Sequence, residues 1–129
     1  MKFEHFALNV PDARAHARWL VAHLGFTIVR QQEKAPYTNF LADETGRIVV
    51  EVYTNPIAMV PDYKTQHPLV FHFAVVSADT VADRARLEKA GATFFAEDAL
   101  PDGSRLLMMR DPWGLPVQFC QRAAPFPMP

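Results

Sequence analysis

The feature that most constrains this chain is that it repeats itself. His5-Phe6-Ala7-Leu8 returns as His72-Phe73-Ala74-Val75, an offset of 67 residues (72 − 5). Asp12 returns as Asp79, and Glu51 in Val49-Val50-Glu51-Val52 meets Gln118 in Pro116-Val117-Gln118-Phe119, both at the same offset. Three landmarks at one spacing identify a tandem of two similar halves, and any fold must be built from that unit twice.

Each half predicts the same series of elements. Phe3 to Val10 alternates between apolar and polar side chains, which suits a strand. Pro11-Asp12 then opens a helix with Asp12 as its N-cap; Ala13, Ala17, Leu20 and Leu24 form one helical stripe, and Gly25 is placed to end it. Strand-like runs follow at Phe26–Gln31, Tyr37–Ala42 and Ile48–Thr54, the last two separated by an Asp-Glu-Thr-Gly turn. In the second half the strand is Leu69–Val76, and a helix runs from Thr80 to Ala90, ended by Gly91. Strands at Thr93–Glu97, Arg105–Met109 and Leu115–Gln121 complete it. The second helix is weakly patterned, so its assignment leans on the repeat. The expected class is α+β, as two tandem βαβββ modules. One domain over residues 1–122 is expected, with module 1 at about 1–55, module 2 at about 69–122 and a linker at 56–68. The linker carries Pro56, Pro61 and Pro68, and the Pro-rich tail 123–129 cannot continue a sheet.

Composition narrows the function. With 13 basic and 14 acidic residues the net charge is about zero, and no stripe of Lys/Arg with interleaved aromatics points to nucleic acid. Arg84, Arg86 and Lys89 cluster, but Asp83 and Glu88 sit among them, as on a solvated helix face. A small-molecule partner is therefore expected. No apolar run could serve as a signal peptide or span a bilayer, and the single cysteine, Cys120, rules out an internal disulfide. A cytoplasmic, reducing location is the natural expectation, with no membrane partner.

Strand parity singles out four residues. In each half's first strand one face is apolar (Phe6, Leu8, Val10; Phe71, Phe73, Val75), and His5 or His72 lies on the other. In the last strands Ile48, Val50 and Val52 oppose Glu51, while Leu115, Val117 and Phe119 oppose Gln118. If the two sheets curl toward each other, His5, Glu51, His72 and Gln118 converge on one cavity. Two imidazoles, a carboxylate and an amide oxygen could hold a divalent transition metal such as zinc, nickel, iron or manganese, with positions left open for water or substrate. Hydrogen-bonded polar groups lining an empty pocket are the plainer alternative.

The opening His5-Phe6-Ala7-Leu8-Asn9-Val10-Pro11-Asp12 followed by Leu24-Gly25-Phe26 resembles that of vicinal oxygen chelate (glyoxalase/bleomycin-resistance/dioxygenase) modules. Val50-Glu51-Val52-Tyr53, His72-Phe73-Ala74-Val75 and Asp111-Pro112-Trp113-Gly114-Leu115-Pro116-Val117-Gln118 resemble its later landmarks, so the likeness covers about residues 1–122. The resemblance implies a cup in each βαβββ half, a cupped mixed sheet overall, a metal between the cups on His5, Glu51, His72 and Gln118, and commonly a homodimer. It also implies chemistry in which the metal chelates vicinal oxygens. In length and layout the chain is similar to bacterial glyoxalase I proteins, lyases acting on the hemithioacetal of methylglyoxal and glutathione. Two departures count against that activity. Those lyases usually carry a proton-accepting Glu at the last metal position, where this chain has Gln118. They also carry an Arg for the glutathione carboxylate, where this chain has Asn9.

Three functions follow from this reading. One is a metal-dependent lyase or isomerase on a small oxygenated metabolite, with Glu51 as ligand or base. Another is a binding protein of the bleomycin-resistance type with no chemistry. The third is an iron-dependent dioxygenase using two His and one carboxylate. Cys120 shares parity with Gln118 and is expected to be a buried, inert thiol; His16, His23 and His67 are expected to be structural or solvent-facing, and Tyr53 to be a packed aromatic able to touch a ligand. A homodimer is also expected because the linker is long for a simple connection.

Overall fold

The repeat is visible strand for strand. The computed structural model describes residues 1–127, and the chain divides into two units, Met1–Pro61 and a second from Asp62 onward. The first unit holds β1 (Phe6–Asn9), α1 (Ala13–Leu24), β2 (Thr27–Gln31), β3 (Asn39–Ala42) and β4 (Ile48–Tyr53). The second holds β5 (Phe73–Val76), α2 (Thr80–Lys89), β6 (Thr93–Ala99), β7 (Arg105–Arg110) and β8 (Pro116–Gln121). Their sheets run β1-β4-β3-β2 and β5-β8-β7-β6, so each unit is a βαβββ module with one parallel and two antiparallel pairings. The α+β class and the tandem modules are as the sequence implies.

The helices form where side chains satisfy their first turn. The Asp12 carboxylate accepts the Ala15 N–H at 3.0 Å, and Gly25 closes α1 at φ 72 in the left-handed region. Ala13, His16, Ala17 and Leu20 recur at three- and four-residue spacing and are buried on the β3 and β4 side of the helix. Asp79 caps α2 through two bonds, from Val81 N and Ala82 N. That helix buries only Thr80 and Leu87, which explains its faint pattern.

Core side chains come from one face of each sheet. Leu8, Leu41, Val50 and Val52 are at most 3 % exposed in the first unit, as are Leu107, Met109, Val117 and Phe119 in the second. The opposite faces stay partly open: Ala7 and Ala74 are exposed, and Glu51 and Gln118 are half-buried.

Three expectations need correction. The first strand of each half is shorter than the alternation suggests, since His5 and His72 each stand one residue before it. In the second half, residues 69–72 do not extend the strand. Val70 N–H returns to His67 O and Leu69 N–H to His67 Nδ1, closing a turn there. Finally, α2 ends at Lys89 with Ala90 as its cap, and β6 continues to Ala99. Residues 123–127 form no strand; Met128 and Pro129 of the tail lie outside the described residues.

β6 lies at the edge of its sheet and is irregular between Phe94 and Ala96. The Arg84 guanidinium sits 3.8 Å above the Phe94 ring, and Arg110 lies 5.2 Å from the Phe95 ring.

Candidate functional site

Register places the four repeat-equivalent residues. Ala7 pairs with Glu51 across the parallel β1–β4 contact, and Ala74 pairs with Gln118 across β5–β8. Directly paired residues share a sheet face. Glu51 and Gln118 therefore take the same position in their modules, each on the face away from its helix.

In the first unit the structure brings His5 and Glu51 together. His5 Nε2 lies 3.3 Å from Glu51 Oε2, with the two side chains about one quarter and one fifth exposed. The Phe40 ring, paired with Glu51 across β3–β4, meets the imidazole edge-on at 5.5 Å. His5 Nδ1 is 2.7 Å from Glu4 Oε2, yet no hydrogen bond is aligned there. That contact is electrostatic and, with Glu4 exposed, screened by water. Asn9 is used differently from a ligand-binding residue. Its amide donates to Asn55 O (3.0 Å) and Ala58 O (2.9 Å), and its oxygen accepts Asn55 N–H at 2.8 Å. The side chain ties the start of the linker to the end of β1.

In the second unit His72 and Gln118 each carry a partner of their own. His72 Nδ1 is 2.9 Å from Pro68 O. Gln118 Oε1 accepts the Cys120 thiol at 3.4 Å, which confirms that Cys120 faces the same way. Burial pushes the Cys120 thiol up from its usual range, so it is a protonated donor at neutral pH. Met108 pairs with Gln118 across β7–β8 and is 6 % exposed, as is Cys120. Two buried sulfur side chains thus stand beside Gln118, with Arg122 acting on Cys120 as well.

Arg110 was not legible as a site residue. Its guanidinium bonds Tyr63 O, Gln66 O at 2.8 Å and Gly114 O at 3.1 Å, seating the segment before β5. Lys64, Thr93, Arg110, Asp111 and Pro112 line a polar cleft of about 340 Å³. None of the four repeat positions lines it, and Arg110 is spent on carbonyls, so the cleft is the seat of the linker. Of the other histidines, His16 is fully buried in the core, His23 packs beside Trp19, and His67 meets Phe95 edge-on.

Among the described residues no three His, Cys, Asp or Glu side chains gather as ligands of one ion. The first unit offers one imidazole and one carboxylate. The second offers one imidazole and a neutral amide whose oxygen already accepts a thiol proton. Neither unit by itself supplies the three or four donors that a tightly held metal needs.

A family model described as the glyoxalase/bleomycin resistance protein/dioxygenase superfamily matches residues 2–119. The chain belongs to that superfamily. Solved structures of the same fold share little sequence with this member. TnmS3, an antibiotic binding protein from Streptomyces sp. CB03234, is 20% identical with a TM-score of 0.70, covering 95% of this chain and 97% of its own. A glyoxalase/bleomycin resistance protein from the same organism is 20% identical with a TM-score of 0.65, covering 93% of this chain and 100% of its own. A superfamily member from Sphaerobacter thermophilus DSM 20745 is 17% identical with a TM-score of 0.66, covering 95% and 98%. No curated protein sequence matches the chain. No helix among the described residues is long and apolar enough to cross a membrane.

Proposed function

We propose that this superfamily member binds a small organic molecule without transforming it, in the manner of a bleomycin-resistance protein. The observation that supports this is the state of Gln118. A neutral side chain whose oxygen accepts the Cys120 thiol stands at the position where the lyases of the family carry a proton-accepting Glu. Asn9 supports it too: its amide is committed to the linker backbone, where those lyases place an Arg for the glutathione carboxylate. The antibiotic-binding neighbour is in keeping with the same reading. The protein acts in the cytoplasm and as a homodimer in this proposal, and monomeric mass by light scattering at micromolar concentration would count against the dimer.

A second reading, a metal-dependent lyase or isomerase on a small oxygenated metabolite, is favoured by the close His5–Glu51 pair. Glu51 would then move the proton, and His5, Glu51, His72 and Gln118 would be the ligands of zinc, nickel, iron or manganese. One experiment separates the two. Protein purified without chelator is assayed for metal and screened by thermal shift against divalent metals and small oxygenated metabolites. Sub-stoichiometric metal with ligand shifts kept in Glu51→Ala supports binding. Near-stoichiometric metal lost in Glu51→Ala, with turnover of the methylglyoxal–glutathione adduct, would sink it.

A further inference from the structure

Among the described residues of the second unit, every arginine but one is already matched. Arg84 pairs with Glu88, Arg86 with Asp83 and Arg105 with Glu97, while Arg110 holds three backbone carbonyls. Arg122 is half-buried, yet no carboxylate among the described residues forms an ion pair with it. Asp102 feels its charge, but that carboxylate is turned to the Ser104 N–H at 2.8 Å. The Arg122 guanidinium lies instead 4.1 Å from the centre of the Phe126 ring. Such stacking covers one face of the group and leaves its in-plane N–H donors to bind an anion. A cation drawn partly out of water without a counter-charge is costly to keep.

The strand sets where that charge points. Gln121 turns toward α2, where its oxygen accepts the Thr80 N–H at 3.0 Å. Alternation puts Arg122 on the opposite face, with Gln118 and Cys120. Its action on the Cys120 thiol, by charge and by a side-chain hydrogen bond, agrees with that placement and opposes the burial that dominates this thiol. Gln118 Oε1 takes the Cys120 proton at 3.4 Å, so the amide NH2 is the end left to donate. Guanidinium and amide therefore flank one sulfur atom, and the two oxygens of a carboxylate can take one donor each. Cys120 itself is buried and offers no surface. The accessible surface beside it belongs to edge strand β5: Val76 pairs with Cys120 and is 71 % exposed, and exposed Ala74 pairs with Gln118.

From this juxtaposition we propose that the face of the second unit around Arg122 takes a small organic acid. Its carboxylate accepts from the Arg122 guanidinium and the Gln118 amide, and its apolar body lies over Val76 and Ala74. The inference rests on the ligand-binding reading above and gives it a ligand class.

The test titrates the whole chain, 13C-labelled at its valine methyls, with cyclohexylacetate and with cyclohexylacetamide, its uncharged twin. The Val76 signals, identified by their loss in Val76→Ala, should move with both probes. At low salt the acid should bind about tenfold more tightly than the amide, the worth of a charge-assisted hydrogen bond at a half-buried site. That margin should shrink as salt rises. In Arg122→Gln it should vanish while the amide binds as before, which also shows that the variant is folded. Arg122→Lys keeps the charge but loses the planar fork, and should fall between the two. Equal affinities for acid and amide, or binding that leaves Val76 unmoved, would overturn the proposal. So would a margin that survives Arg122→Gln, since Arg122 would then serve only to hold the tail through Phe126. Should neither probe bind while another metabolite shifts the melting temperature, the ligand class is wrong and the binding reading stands. If no small molecule shifts it, both fall.

Discussion

Gly114 offers a sharp test of how the second unit is closed. It sits at φ +92, and a Cβ there would lie 2.4 Å from Lys64 Cγ and 2.8 Å from both Lys64 Cα and Lys64 N. The side-chain contact could give way, but the two backbone contacts cannot without moving the segment that Arg110 seats. Gly103 is the matched control: its φ is +90, and its added Cβ would meet only Ala123 Cβ at an ordinary 3.8 Å. A left-handed backbone costs an L-residue about 1–2 kcal/mol, so Gly103→Ala should lose about that much. Gly114→Ala should lose this plus an overpacking cost of about 1–3 kcal/mol. Gly91→Ala falls between them, with φ +90 and Pro112 Cγ at 3.4 Å. Urea unfolding followed by tryptophan fluorescence gives the three midpoints, and unchanged m-values would show that the transition is comparable across the series. If Gly114→Ala is no more destabilised than Gly103→Ala, Lys64 does not pack on this turn and the account of the linker seat is wrong.

Two further outcomes follow from the caps and the thiol. Removing either helix cap, Asp12→Ala or Asp79→Ala, should cost about 1 kcal/mol; because α2 buries so little, only Asp79→Ala should markedly speed amide exchange through the first turn of its helix, as hydrogen-exchange NMR would show. Burial raises the Cys120 thiol above its ordinary range, so the reactive thiolate is scarce at neutral pH and grows as pH rises. Native protein at pH 7 should alkylate with iodoacetamide at least about tenfold more slowly than protein in urea, and equal rates would contradict the packing of Cys120 beside Gln118.

The repeat made the fold legible because register is a long-range consequence of short-range alternation. Glu51 and Gln118 could be placed on equivalent faces from the sequence, and their pairing with Ala7 and Ala74 bears this out. The caps were legible because Asp at the head of an apolar stripe has one good use. Leu69 and Val70 were misassigned because apolar residues score as strand, whereas the local bonds to His67 decide their conformation. The structural roles of Asn9 and Arg110 are illegible in the sequence for a related reason. Their partners are backbone carbonyls some 45 residues away, and carbonyls have no letter in a sequence. The same holds for His72, whose chemistry is set by the Pro68 oxygen.

The two guanidinium groups near β6 bear on how this protein behaves in a crowded solution. An edge strand with Phe94 and Phe95 about 40 % exposed is an invitation to strand addition by another chain. Here Arg84, itself held by Glu88 at 3.0 Å, lies flat on Phe94, and the irregular pairing at Phe94–Ala96 spoils the straight margin that an incoming strand would need. The exposed ring thereby carries beside it a charge that repels its like on a neighbouring molecule. Colloidal stability in this region is thus separable from folding stability. Loss of Arg84 would register first as turbidity on heating or storage, with the melting midpoint scarcely moved.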